Sequence, residues 1–184
     1  MSVNRAGRRE RYVQKTRAEV ESLVARGVVM AGNAFSSVLL VKGQPGEGEG
    51  GGEGLLAGAD GKALRAALAA LGYAPEDWAG LATWNSAGES LDPALLREAV
   101  ATLDPATLVV CDHAAVWAVR EAYANDLSSL ESLEEAMMAD GVLVPLAGMR
   151  AMSLGGFADA LADKDQKQLM WRRLKQLPPL GEPY

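Results

Sequence analysis

Short apolar segments alternate with helical segments along this chain, and this alternation constrains the fold more than any other feature. Apolar residues recur at helical spacing between the segments, as at Leu64, Leu68 and Leu71. Four runs have the length and composition of buried strands, namely residues 37–41, 81–84, 108–111 and 142–144. Strands separated by helices of about 10–15 residues form βαβ units and a parallel sheet. The sequence therefore predicts a single α/β domain over residues 1–184, with three α/β/α layers and a four-stranded parallel sheet.

Polar residues mark the starts of several predicted helices. Asp92 can cap a helix whose first position is Pro93, a residue that helices accept there. Asp112 can cap a helix that runs to Tyr123. Further helices are predicted over residues 8–26, 60–72, 128–140 and 164–177, with a loop at 148–156 and a frayed tail at 178–184.

The carboxyl ends of parallel strands are where α/β proteins bind ligands. In this chain, the segments that follow the four predicted strands are residues 42–58, 85–90, 112–115 and 145–157. The first of these holds eight of the chain's 20 glycines. It lacks the Gly-Lys-Ser/Thr ending of a P-loop, and its three glutamates oppose phosphate binding. Composition by itself is typical of a flexible surface loop.

Charge is distributed unevenly along the chain. Residues 1–18 contain six basic side chains and one acidic one, whereas the rest contains 12 basic and 23 acidic side chains, a net charge of −11. An acidic body is poorly suited to nucleic acid, because phosphate neutralisation supplies much of the affinity. The basic segment is interpreted either as a solvated helix start or as an arm.

Several classes of site are excluded by composition. The single cysteine, Cys111, ends an apolar run, which predicts a buried and inert thiol. Without a His/Cys cluster, we expect no metal site and no cofactor. No apolar run reaches membrane-spanning length and residues 1–17 contain no apolar signal core, so we expect a cytoplasmic protein without membrane contact.

Two polar residues at strand ends have alternative interpretations. Asn85 can read a base edge through its amide, or can simply stabilise a turn. His113 follows Asp112 and can take part in acid–base chemistry, or can be a helix-start residue without a catalytic role.

Taken in order, these segments resemble the uracil-DNA glycosylase superfamily, most closely its iron–sulfur-bearing bacterial and archaeal branch. The family's Gly-Glu-Ala-Pro-Gly loop and the Gly-x-x-Gly before a helix are matched by residues 41–49 and 58–61. Its strand ending in Thr-Asn is matched by residues 83–85, and its strand ending in Leu-Gly-x-x-Ala by residues 109–115. The last-helix pattern is matched by Lys167, Trp171, Leu174 and Lys175.

The resemblance implies a base-binding site made of Gln44, Pro45, Gly46, Leu56 and Asn85. Asn85 falls at the family's uracil-contacting asparagine. Leu56 falls at the family's stacking aromatic, and a leucine cannot supply the stacking worth about 1–3 kcal/mol per base.

Most of the catalytic set is replaced. Gly43 stands where the family has its activating carboxylate, and no histidine occurs near residues 147–149, where its His-Pro-Ser segment is expected. The four cluster cysteines are absent, so no iron–sulfur cluster is expected. Substitutes for the missing catalytic groups are Glu47, Glu49 and Glu53 for the carboxylate, and His113 or Arg150 for stabilising the leaving base.

Three hypotheses follow, in this order. The first is a diverged DNA-repair-like glycosylase without strong uracil excision, which binds a nucleobase, nucleotide or DNA at the strand ends. The second is a non-enzymatic protein-interaction module built on the same fold. The third is an active base-excision glycosylase in which a residue such as Glu47 replaces the lost carboxylate.

Overall fold

A computed structural model describes residues 3–49 and 54–181. Its helices are α1 (Val3–Ala25), α2 (Ala59–Leu71), α3 (Pro93–Leu103), α4 (His113–Ala122), α5 (Ala124–Ser128), α6 (Leu133–Ala136), α7 (Phe157–Ala160) and α8 (Lys164–Leu174). Its strands are β1 (Val28–Gly32), β2 (Val38–Lys42), β3 (Ala79–Asn85), β4 (Thr107–Val110), β5 (Leu143–Leu146) and β6 (Met149–Ser153). Two parts of the predicted features lie outside the described residues. They are residues 50–53 of the glycine-rich loop, including the candidate Glu53, and the last three residues of the predicted tail.

The six strands form one mixed sheet in the order β1-β3-β2-β4-β6-β5. Neighbouring pairs among β3, β2, β4 and β6 are parallel. The outer strands β1 and β5 are antiparallel to their neighbours. The α/β class is therefore confirmed, whereas the predicted four-stranded parallel sheet is not, because two antiparallel strands extend it.

The fourth predicted strand needs correction. Residues 142–144 contribute to the edge strand β5, and the parallel strand is β6, within the segment 148–156 that the sequence predicts as a loop. A two-residue turn joins them, and both Ala147 and Gly148 have positive φ. Such turns match the twist of a hairpin but usually show Asn-Gly or Asp-Gly in the sequence. Ala-Gly gives a much weaker signal.

The prediction of one acidic helix over residues 128–140 is also wrong in its extent. Helix α5 ends at Ser128, and α6 is a separate short helix whose amino end is capped by the Ser132 hydroxyl. Met138 has a φ of 50°, which ends helical geometry before Asp140.

Helices cover both faces of the sheet. On one face, α1, α3 and α4 pack on alternate strand residues such as Leu39 and Val41. On the other face, α2, α7 and α8 pack on the intervening residues, such as Val38 and Leu40. Because β2 is buried on both faces, its carboxyl end lies between two hydrophobic cores.

Cys111 lies just past β4 and is buried, as the sequence predicts. Burial raises the pKa of its thiol well above the ordinary value, so the sulfur stays protonated. Among the described helices, none is both long and apolar enough to cross a membrane.

Candidate functional site

The carboxyl end of β2 carries a buried cluster of charged side chains. Lys42 is 4% exposed, and its Nζ lies 2.5 Å from Glu49 Oε2 and 2.6 Å from Asp60 Oδ2. Burial lowers the pKa of Lys42, but the hydrogen bonds to Asp60 and Glu49 outweigh it, and the pKa lies above its ordinary value. Lys42 therefore stays charged and neutralises one of the two buried carboxylates.

Glu49 also holds the glycine-rich loop in place. Its carboxylate accepts hydrogen bonds from the backbone nitrogens of Gly46 at 2.7 Å and Leu56 at 2.9 Å. With Lys42 as a third partner, this carboxylate is committed to closing the loop. Glu47, another of the three glutamates predicted as substitutes for the carboxylate, is exposed.

Asp112 ties the same loop to helix α4. Its carboxylate accepts hydrogen bonds from the backbone nitrogens of Gly43 and Gln44, each at 3.0 Å, and caps α4 through Ala115 at 2.8 Å. A buried carboxylate with three such donors is a structural clamp, because few of its lone pairs remain for a substrate or a water.

Gly43 lies against the first turn of α4. A Cβ at this position would lie 2.1 Å from the backbone nitrogen of Ala115 and 2.7 Å from Asp112 Oδ1. No side chain fits there unless α4 moves. The position where the resemblance expects an activating carboxylate is therefore closed to every residue except glycine.

Asn85 is engaged by its own turn. Its Oδ1 accepts hydrogen bonds from the backbone nitrogens of Ala87 and Glu89, both at 3.0 Å. Its amide thus stabilises the turn after β3, which is the structural alternative that the sequence leaves open. Lys42 and Asn85 also belong to opposite faces of the sheet, because Lys42 continues the Val38 and Leu40 series and Asn85 continues that of Leu81.

His113 takes part in a surface network at the end of β4. Its side chain is 74% exposed, and its Nε2 lies 3.3 Å from Asp140 Oδ2. The other oxygen of Asp140 accepts a hydrogen bond from the buried Ser153 hydroxyl at 2.7 Å. Because the carboxylate separates the hydroxyl from the imidazole, the histidine cannot act as a base toward the serine, and the three do not form a hydrolase triad.

Two further predicted residues do not join the strand ends. Leu56 is fully buried in the core, and its carbonyl accepts a hydrogen bond from Arg65 at 2.7 Å. Arg150 lies at the amino end of β6, beside the first residue of β4. Its guanidinium donates to Thr107 Oγ1 at 2.8 Å and Tyr73 Oη at 3.0 Å, and also to the carbonyl of Pro178.

The space left at the strand ends is small. A cavity of about 20 Å³ lies between the loop, α2 and α7, and its lining includes Gln44, Lys42 and Phe157. That volume is close to what one water molecule needs. Pro45 and Gly46 are exposed in the adjoining loop.

A larger depression lies on the outer surface of α4. Its volume is about 420 Å³, in the range of small-molecule and peptide sites. We call it the α4–α6 groove, and it is lined by Trp117, Arg120, Glu121, Ala124, Leu127, Ser128 and Ala136. Trp117 is 70% exposed, and two apolar residues at the ends of α6, Leu133 and Met137, are exposed as well.

Comparison with known proteins adds no identification. No protein-family model matches the chain, and no curated protein does. Among the described residues, no group of three or more His, Cys, Asp or Glu side chains is arranged to hold a metal ion. The resemblance to the glycosylase superfamily therefore rests on the order and spacing of the sequence segments.

The sequence did not single out Lys42 at the strand ends or Trp117 in the α4–α6 groove as candidate site residues. Lys42 reads as the end of a strand, and nothing local indicates that it binds Glu49 and Asp60. Trp117 gives a usable signal, because Ala115 and Val119 form the buried stripe of α4 and Trp117 lies off that stripe. A large aromatic residue off the buried face of a helix indicates a binding surface.

Proposed function

We propose that this chain is a non-enzymatic binding module on a glycosylase-like α/β fold, and that it binds a protein partner through the α4–α6 groove. The observation that carries the proposal is the contrast in volume between the strand-end cavity, about 20 Å³, and the groove, about 420 Å³. Ligand sites usually enclose about 300–1,000 Å³. Of these two regions, the groove alone has a volume in that range.

The polar groups at the strand ends support the absence of base excision. Glycosidic cleavage needs a poised carboxylate or an oriented water, and donors aimed at the leaving base. Here Glu49 binds Lys42 and two backbone amides, Asp112 binds backbone amides only, and Asn85 binds its own turn. Glu47 is exposed and lies on a loop, which is a poor support for a catalytic group.

The chemistry of the groove supports a protein partner. Exposed aromatic and long apolar side chains are enriched in protein interfaces and often form their hot spots. Arg120, which lines the groove with Trp117, donates a hydrogen bond to the Sδ of the half-exposed Met137 at 3.2 Å. An apolar centre with charged groups around it is typical of such interfaces.

A base-release assay tests the absence of excision. Single-stranded and duplex oligonucleotides containing uracil are incubated with the parent protein and with the variants Glu47→Ala and Asn85→Ala. We expect no release from any of them. Release by the parent that disappears in Glu47→Ala would contradict the proposal and establish an active enzyme with a substituted carboxylate.

Photo-crosslinking tests the binding role. A photoreactive amino acid replaces Trp117 in one variant and Gln168, an exposed residue on α8 at the opposite face, in a control. We expect crosslinked products in cells from position 117 in clear excess over position 168. Equal yields, or none from position 117, would show that the groove is not an interface.

A second candidate function is the binding of a nucleobase or nucleotide at the strand ends. The observation that favours it is that an aromatic ring, Phe157, and a carboxamide, Gln44, line the same small cavity. Such a pair can stack on a base and read its edge. The loop at residues 43–49 would have to open first, because the cavity holds only one water.

Thermal shift with uracil and uridine monophosphate tests this candidate. A ligand at one hundred times its Kd stabilises a protein by about 2.7 kcal/mol. A shift that Gln44→Ala abolishes and Gln168→Ala preserves would support it. If neither compound raises the melting temperature, this second candidate is rejected and the groove remains the proposed binding site.

A further inference from the structure

The described buried residues of helix α1 lie in its later turns, at Thr16 and Leu23. The helix has 23 residues, which corresponds to about 34 Å. It packs on β1 and α3 through Thr16, Val20 and Leu23. Earlier in the helix, Glu10, Arg11 and Tyr12 are exposed. The described side chains from Glu10 to Tyr12 therefore lie outside the hydrophobic core.

The part of α1 before Thr16 carries features of a binding helix. Tyr12 lies one turn before the buried Thr16, on the same side of the helix, and is 58% exposed. Residues 3–15 also contain five of the six basic side chains of residues 1–18. An isolated helix of about 12 residues is marginal in water, since most helical stability comes from packing an amphipathic face. A surface that covers this face would stabilise the helix.

The α4–α6 groove has the complementary character. Its centre is apolar, with Trp117 and Leu127, and its lining also carries Glu121 and Arg120. Two more glutamates, Glu131 and Glu134, are exposed in the segment between the lining residues Ser128 and Ala136. Opposite charges on two such surfaces steer association and select partners.

From these features, we infer that the α4–α6 groove of one molecule receives the first half of helix α1 from a second copy of this chain. The inference rests on the binding role proposed for the groove and names its partner. Tyr12 supplies an aromatic contact beside Trp117, and Arg11 and Lys15 lie opposite the glutamates.

The helix must come from another copy because of the sheet order. Helix α1 packs on the edge strand β1, whereas α6 packs on the opposite edge strand β5. Six strands at the usual spacing place these edges about 24 Å apart. Self-association is therefore the expected state, as a closed dimer or as a longer assembly.

The test measures molar mass by light scattering across protein concentrations, at low and high salt. We expect the parent to self-associate at low salt and to dissociate as salt rises. Tyr12→Ala and Trp117→Ala should each weaken association at least tenfold. A matched pair of substitutions on α8, Lys164→Glu with Lys167→Glu, changes charge equally and should have no effect.

Charge reversal gives the sharper test. One variant carries Arg11→Glu and Lys15→Glu, and the other carries Glu131→Lys and Glu134→Lys. Each alone should be monomeric, and an equimolar mixture should associate, because each acidic surface then meets a basic one. All four positions are exposed, and circular dichroism checks that both variants are folded.

Two outcomes would overturn the inference. One is a parent that is monomeric at every concentration at low salt, including a parent whose basic segment binds single-stranded DNA instead. The other is self-association that neither set of substitutions changes. The binding role of the groove would survive either outcome if position 117 still crosslinked to a different protein, whereas the loss of both results would reject both proposals.

Discussion

Helix α4 contributes to two regions that differ in how completely their groups are satisfied. At its amino end, Asp112 and Ala115 clamp the loop after β2, and the nearby charges of Lys42 and Glu49 bind each other. On its outer surface, Trp117 is left in water. Groups that are fully paired inside a molecule have little to offer a ligand. The comparison teaches that two parts of one helix can differ in what they offer a partner: the exposed apolar surface at Trp117 is available for contact, whereas the paired groups at the amino end are not.

The largest expected effect comes from adding a methyl group at the clamp. Gly43→Ala should lower the free energy of unfolding by more than about 4 kcal/mol or prevent folding, since the new Cβ meets the backbone of Ala115. Urea denaturation measures the change. Gly156→Ala, at the same sheet edge but with ordinary contact distances, should change it by less than about 1 kcal/mol. Similar values for both would show that the clamp is loose.

The next effect concerns the buried cation. Lys42→Met should cost about 3–5 kcal/mol, because it leaves two buried carboxylates without their counter-charge. Lys62→Met, an exposed substitution on α2, is the control and should be close to neutral. A loss below about 1 kcal/mol for Lys42→Met would mean that the strand ends are open to water, which removes the contrast with the groove.

The raised pKa of Lys42 predicts a difference in alkaline stability. Folding favours the protonated amine, so its contribution is complete below the pKa of the unfolded chain and is lost as pH rises through the folded pKa. Unfolding free energies measured at increasing alkaline pH should fall more steeply in the parent than in Lys42→Met, by at most about 1.4 kcal/mol per pH unit. The Lys62→Met control should keep the parent's slope. Parallel curves for all three proteins would contradict the assignment.

The smallest effect is expected at the groove. Trp117→Ala should change the free energy of unfolding by less than about 0.5 kcal/mol, although it removes the largest side chain in the region. The same denaturation experiment measures it. A loss above about 2 kcal/mol would make Trp117 a packing residue and would reverse the comparison.

The sequence was informative where a single local signal decides the structure. The apolar runs predicted β2, β3 and β4, and Asp92 and Asp112 were correctly predicted as helix caps. The β5–β6 hairpin was missed because its turn residues, Ala147 and Gly148, give a weak signal for positive φ.

The strand-end site was less predictable because its chemistry depends on pairing across the fold. Glu49 and Asn85 have the residue types that base-excision chemistry uses. Their partners in the structure are Lys42 for one and the turn at Glu89 for the other. Partner choice of this kind depends on how the loops close, which neither periodicity nor spacing encodes.

The contact between Gly43 and α4 also has an evolutionary consequence. A carboxylate at position 43 cannot be gained by one substitution, because the first turn of α4 must move before any side chain fits. That same helix carries Trp117 and Arg120 on its outer surface. Any displacement of the first turn of α4 that made room at position 43 would therefore also move the surface that carries Trp117 and Arg120, so the two regions cannot change independently.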